Sequence, residues 1–142
     1  MLNDLIDIKS CPIEDKEFVA SSKKKLEENG ALTISNFLTK KVLLGLVEEA
    51  KSCKHLAFYT KSTHNVYLTP KNKDFGDNHI FNKQIISSKG CITTDQIPEK
   101  SPLKKIYKSD VFKNFIATLV GEKYLYEYED PLSSINVHYA SE

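Results

Sequence analysis

The chain has 142 residues, with 20 basic residues, all lysine, against 19 acidic ones, and 40% of it is hydrophobic, enough for one modest core. No run approaches the roughly 20 apolar residues of a membrane span, and the opening MLNDLIDIKS has neither the basic nor the apolar region of a secretory leader. Cys11, Cys53 and Cys91 are an odd, widely spaced set that suits neither a disulfide framework nor a CxxC metal knuckle, so the expectation is one domain over residues 1–142 in a reducing cytoplasm.

The first predicted helix covers Glu14 to Asn29: acids at its start suit the positive end of the helix dipole, and Gly30 stands where a left-handed C-terminal residue is wanted. Its apolar content, Phe18, Val19 and Leu26, is thin, which predicts a surface helix with one narrow buried face. Lys23, Lys24 and Lys25 are followed by Glu27 and Glu28, the pattern of a solvated helix face rather than a phosphate-binding tract, and nucleic acid is set aside as a partner. Ala31 to Ser35 alternates, with Leu32 and Ile34 on one side, and reads as a short strand. Thr39 caps a second helix whose Leu43, Leu46, Val47 and Ala50 recur at i, i+3, i+4 and i+7, predicting a core helix with Cys53 as a further small apolar contact.

Asn65 to Leu68 is strand-like up to Pro70, and residues 71–82, rich in Asn, Asp, Lys and Gly, read as a long loop. Gln84 to Ser87 and Cys91 to Thr93 are short extended candidates around Gly90. Ser101-Pro102 is a helix start for residues 102–107, since proline at the first position has no amide hydrogen to lose. Ser109 caps the clearest helix, with Phe112, Phe115, Ile116, Leu119 and Val120 on one face and Gly121 closing it. Tyr124, Tyr126 and Tyr128 share one face of a predicted strand. Such a ladder could stack bases, but the acidic surroundings favour packing beneath the preceding helix. A last strand runs from Ser134 to Tyr139.

The histidines, His55, His64, His79 and His138, form no H-x-D or H-E-x-x-H pair, and no nucleophile elbow or phosphate-cradling glycine loop is present. No complete metal or catalytic site is legible from spacing alone.

The order of segments carries a stronger signal. Gly30-Ala31-Leu32-Thr33-Ile34 with Asn36-Phe37-Leu38 and an amphipathic helix is followed by His64-Asn65-Val66-Tyr67-Leu68 and then Ser87-Ser88-Lys89-Gly90-Cys91-Ile92. Next come Asp95-Gln96-Ile97-Pro98, Ser101-Pro102-Leu103 and Ile106-Tyr107, and finally Asp130-Pro131-Leu132 with Ile135-Asn136-Val137-His138-Tyr139. From Gly30 to Glu142 this order resembles one branch of the Fe(II)/2-oxoglutarate-dependent oxygenases, with residues 1–29 as a lead-in helix. The DQIP and DPL pieces are the most specific. One departure is the turn Asp77-Asn78-His79-Ile80, where that branch often carries an Asp-His-Pro-Arg-like sequence, so the resemblance does not extend to substrate recognition at that turn.

The resemblance implies an α+β fold, N-terminal helices packed on the first strands of a jelly-roll (double-stranded β-helix) barrel, incomplete in this chain. In such enzymes a His-x-Asp strand follows the segment matching Ile135 to Tyr139, and a distant His completes the iron triad; residues 1–142 stop before that strand. The expectation is thus the N-terminal part of an oxygenase that uses Fe(II) and 2-oxoglutarate to oxidise a small-molecule or amino-acid-like substrate. No catalytic or metal residue is assigned to this chain, and it holds neither cofactor tightly by itself. By resemblance, Asn136, His138 and Tyr139 are candidate 2-oxoglutarate contacts. Strand alternation puts Asn136 and His138 on one side and Tyr139 on the other, and the Asn136–His138 side is expected to face the cosubstrate. The competing reading is a complete, non-catalytic α+β binding module using the lysine-rich middle or the tyrosine-bearing strand.

Overall fold

A computed structural model of the chain describes residues 2–140, which form α1 (Lys16–Asn29), α2 (Lys40–Cys53), β1 (Phe58–His64), β2 (Ile85–Ile92), α3 (Pro102–Tyr107), α4 (Asp110–Val120) and β3 (Val137–Ala140). The class is α+β, with four helices and one open antiparallel sheet in the order β1-β2-β3.

The helices begin where short polar side chains can take up an unpaired amide. Asp15 accepts from the Phe18 amide at 2.9 Å, Thr39 from Val42 at 3.4 Å, Ser101 from Leu103 at 3.2 Å and Ser109 from Phe112 at 3.4 Å. Each such cap contributes about 1 kcal/mol. Gly30 (φ 66°) and Gly121 (φ 78°) end α1 and α4 in the left-handed conformation that favours glycine.

Ile6, Cys11, Ile13, Phe115 and Leu119 are the buried centre of a helical core in which α1 packs on α4. Aromatic contacts tie it together: Phe18 with Phe115 at 6.3 Å and Phe37 with Phe112 at 5.8 Å between ring centroids. Burial pushes the Cys11 thiol above its ordinary range, with the Asp7 carboxylate adding to the effect, and the thiol donates to Ser35 O. Leu32 and Ile34 pack against this core as their alternation predicts, yet residues 31–35 form no strand. Alternation requires only an extended backbone, whereas a strand needs a neighbour. Among the described residues the one pairing nearby is the isolated bridge between Ile6 and Leu38.

A second layer joins α2 to the sheet and to α3, where Leu46, Ala50 and Cys53 meet Ile92, Ile97, Leu103 and Val137. Ser101 Oγ donates to Glu49 Oε1 at 2.6 Å, and Gln96 Nε2 donates to Leu56 O at 3.1 Å, fixing this layer from two sides. The predicted core face of α2 is only half right: Leu46, Ala50 and Cys53 are half-buried, but Leu43 and Val47 are exposed and the unpredicted Val42 is buried, because sheet and α3 meet only the side carrying Leu46, Ala50 and Cys53.

Four further expectations are corrected. The strand before the long loop is Phe58–His64, while residues 65–68 form a turn with Leu68 at φ 55°. The two extended candidates around Gly90 are one strand, β2. Tyr124 to Tyr128 makes no strand and does not pack beneath α4. All three rings are exposed, Tyr124 and Tyr126 meet edge to face at 4.9 Å, and the Tyr128 amide donates to Tyr107 Oη. No strand among the described residues pairs with that segment to complete a ladder, so its alternation goes unused. The last strand is shorter than expected, beginning at Val137. No helix among the described residues is long and apolar enough to cross a membrane.

Candidate functional site

The register sorts the sheet into two faces, since directly paired antiparallel residues project to the same side. Tyr59 pairs with Gly90 and Gly90 with Tyr139, while Ile92 pairs with Val137. These residues face α2. Tyr139 Oη donates to Ala50 O on that helix, and burial, followed by the nearby Cys53 and Tyr59, pushes the phenol above its ordinary range. Gly90 is required here for space: a Cβ would stand 2.7 Å from Cε1 of Tyr59, whose ring lies over the glycine.

The other face is open. Phe58, Cys91 and His138 form one row across the three strands, and Thr60, Lys89 and Ala140 the next. Ser62 and Ser87, then His64 and Ile85, continue it along β1 and β2. It therefore presents hydroxyls, two imidazoles, a thiol and one lysine, and none of its paired positions is Asp or Glu. Lys89 has no ion-pair partner among the described residues, and the His138 ring is exposed and makes no hydrogen bond to any of them.

The candidates named from the sequence are thus divided. Tyr139 is spent on α2. Asn136, two residues before His138, has its amide nitrogen engaged, donating to Leu132 O at 3.0 Å and more weakly to Ile92 O at 3.5 Å, so it shapes the approach to β3. Thr94 assists by accepting from the Ile135 amide at 2.8 Å and donating to Ile135 O at 2.7 Å. Upstream, Asp130 accepts from the Leu132 amide and from Ser133 Oγ. These bonds, led by the Leu132 amide, hold its carboxyl below the usual carboxylate range. Of the three, His138 alone presents an uncommitted side chain on the open face. Phe58, Thr60, Lys89 and Cys91 join it there. Sequence reasoning passed over the β1 residues, although the run Phe-Tyr-Thr-Lys-Ser-Thr carries the aromatic and β-branched enrichment of a strand.

At the far end of this face, the loop between β1 and β2 is built around two buried asparagines. Asn65 donates to Thr69 O, Thr69 Oγ1 and Phe81 O and accepts from the Tyr67 and Thr69 amides. Asn82 accepts from the Asn72 amide and donates to Asn72 O, Phe75 O and Gly76 O. Around them Tyr67 stacks on Phe81 at 4.7 Å and Phe75 on His79 at 4.1 Å. His79 Nδ1 accepts from the Phe81 amide, and Lys71 pairs with Asp77 at 2.8 Å. The turn Asp77 to Ile80 is therefore set by ring stacking and backbone bonds.

An iron centre needs three converging ligands. Among the described residues no group of three His, Cys, Asp or Glu is placed to hold a metal ion, and His64 lies six positions along the sheet from the Cys91–His138 row, about 20 Å away at strand spacing. These residues do not fit an iron site by themselves. No protein-family model matches the chain, and neither the characterised proteins nor the solved structures compared with it gave a match.

Proposed function

We propose that these residues form the N-terminal part of an Fe(II)/2-oxoglutarate-dependent oxygenase of jelly-roll fold, acting on a small-molecule or amino-acid-like substrate, with the iron ligands outside residues 1–142. The observation that carries the reading is the asymmetry of the sheet: helix α2 packs on one face where Gly90, Ile92, Val137 and Tyr139 meet it, and the other face, carrying His138, Lys89 and hydroxyls and free of carboxylates at its paired positions, is open as the inner wall of a barrel would be. On this reading His138 and Lys89 look into the cavity, where an imidazole and an ammonium suit an anionic ligand, while Tyr139 and Gly90 seat the strand on its outer helix. Asn136 is then a positioning residue for β3. The cytoplasmic location expected from the cysteines belongs to the same proposal.

The second reading, a binding module, has the exposed tyrosines at 124, 126 and 128 in its favour, though not on a strand. The adjoining coding sequence separates the two. A His-x-Asp or His-x-Glu within roughly two strand lengths, 10 to 12 residues, of Glu142 supports the oxygenase. A stop codon there in an intact gene overturns it in favour of the module.

A further inference from the structure

The seam between α1 and α4 does not close. Phe18, Val19 and Leu26 of α1 pack against the helical core, but beside Val19 the helix offers only Ala20, too small to fill the space over α4. What remains is a cleft of about 560 Å³, floored by Ile13, Val111 and Phe115, within the range of small-molecule sites. Ile13 and Phe115 belong to the buried core, so the floor is apolar.

The two walls differ. Along α1 stand Lys16 and Lys23, seven residues and roughly 10 Å apart on the same side of the helix. Lys16 has no ion-pair partner among the described residues, and Lys23 has only a 4.0 Å approach to Glu27. The Lys23 ammonium reaches across the seam, 3.9 Å from where a Cβ on Gly121 would stand. On α4, Asn114 and Thr118 supply neutral polar groups four residues apart, with Glu14 the one carboxylate at the rim.

The geometry points to a binding site in the α1–α4 cleft for an amphiphilic carboxylate, its apolar body on Ile13, Val19 and Phe115 and its anionic head against Lys16 or Lys23. An alcohol of the same chain length would gain the floor without the lysines, and a cation would meet like charge. The site is independent of the sheet face and of the oxygenase reading.

Titration of the full 142-residue chain with decanoate, decanol and decyltrimethylammonium, followed by amide NMR shifts, tests it. Saturable decanoate binding that moves the Phe115 and Thr118 signals, at least tenfold tighter than decanol and tighter still than the cation, is expected. Lys16→Gln with Lys23→Gln should remove that preference, and Ala20→Trp, at an exposed position in the mouth, should block all three probes. Equal affinities for the probes, shifts centred on exposed sheet residues such as Phe58 and Ile86, or no saturable binding would overturn the assignment. Should the Ala20 variant lose its fold, as read by its far-ultraviolet spectrum, the lysine pair decides the outcome.

Discussion

Replacing Asn65 by alanine should open the β1–β2 loop without unfolding the helical core. The carboxamide is 1% exposed and engages three acceptors and two backbone amides. Its two amide hydrogens are shared among three acceptors, so it is worth about four hydrogen bonds. At about 0.5–1 kcal/mol net for each, with the freed loop groups regaining water, the loss is about 2–4 kcal/mol. The helical core has no member in this loop, so the cost falls on local opening. Native-state hydrogen exchange reads it directly: the Tyr67 and Thr69 amides, which donate to Asn65 Oδ1, should exchange about 30- to several-hundred-fold faster, at a factor of ten per 1.4 kcal/mol. Amides in α4 should be unchanged. Unaltered exchange at Tyr67 and Thr69, or equal loss of protection in α4, would refute the reasoning.

Gly90→Ala drives a Cβ into the Tyr59 ring and should cost about 1–2 kcal/mol in urea unfolding; in a Tyr59→Ala background most of that cost should vanish, and an additive pair would show the clash is not its cause. Phe115→Ala, at a residue 3% exposed between α1 and α4, should lower stability by about 3–5 kcal/mol on the same assay. Glu99 accepts from Lys108 and Lys104, and these bonds hold its carboxyl below the usual range. Its contribution is therefore present above the ordinary carboxylate pKa, about 4.3, and is lost as pH falls through the lower folded value. Glu99→Gln should flatten that part of the acid unfolding curve, which an unchanged curve would contradict.

The helices were legible because their ends are written locally. Thr39, Ser101-Pro102 and Ser109 each offer an oxygen or a missing amide where a helix must start, and Gly30 and Gly121 offer the positive φ where one must stop. Strands depend on a partner that local pattern does not name. Leu32 and Ile34 alternate toward a helical core, Tyr124 to Tyr128 alternate beside nothing, and β1, which does pair, is polar enough along Thr60 to Thr63 to hide its period. The site followed the same divide. The opposite facing of His138 and Tyr139 could be read from parity, but that Tyr139 would be spent on Ala50 and the Asn136 amide on Leu132 depends on α2 and the Asp130 turn, which parity does not contain.

The two layers of the molecule also differ in what they leave uncovered, and this bears on function more than any single side chain. The helical core buries Ile6, Cys11 and Phe115 and is open at the cleft between α1 and α4. On the sheet side, Phe58 is 74% exposed and Ile86 66%, on opposite faces of the same two strands, and Leu43 and Val47 are exposed on the side of α2 that the sheet does not meet. Apolar residues scattered singly over a surface require no explanation, but here they lie on adjoining elements around one sheet. Further strands laid along the sheet would cover its open face while turning His138 and Lys89 toward an enclosed space. A binding partner on that face would cover Phe58 equally well but would bury Lys89 against a protein surface, which calls for an opposing carboxylate on that partner. The lysine thus separates the readings by its needs: a cavity supplies it with water or an anionic ligand, whereas a dry interface must supply a counter-charge.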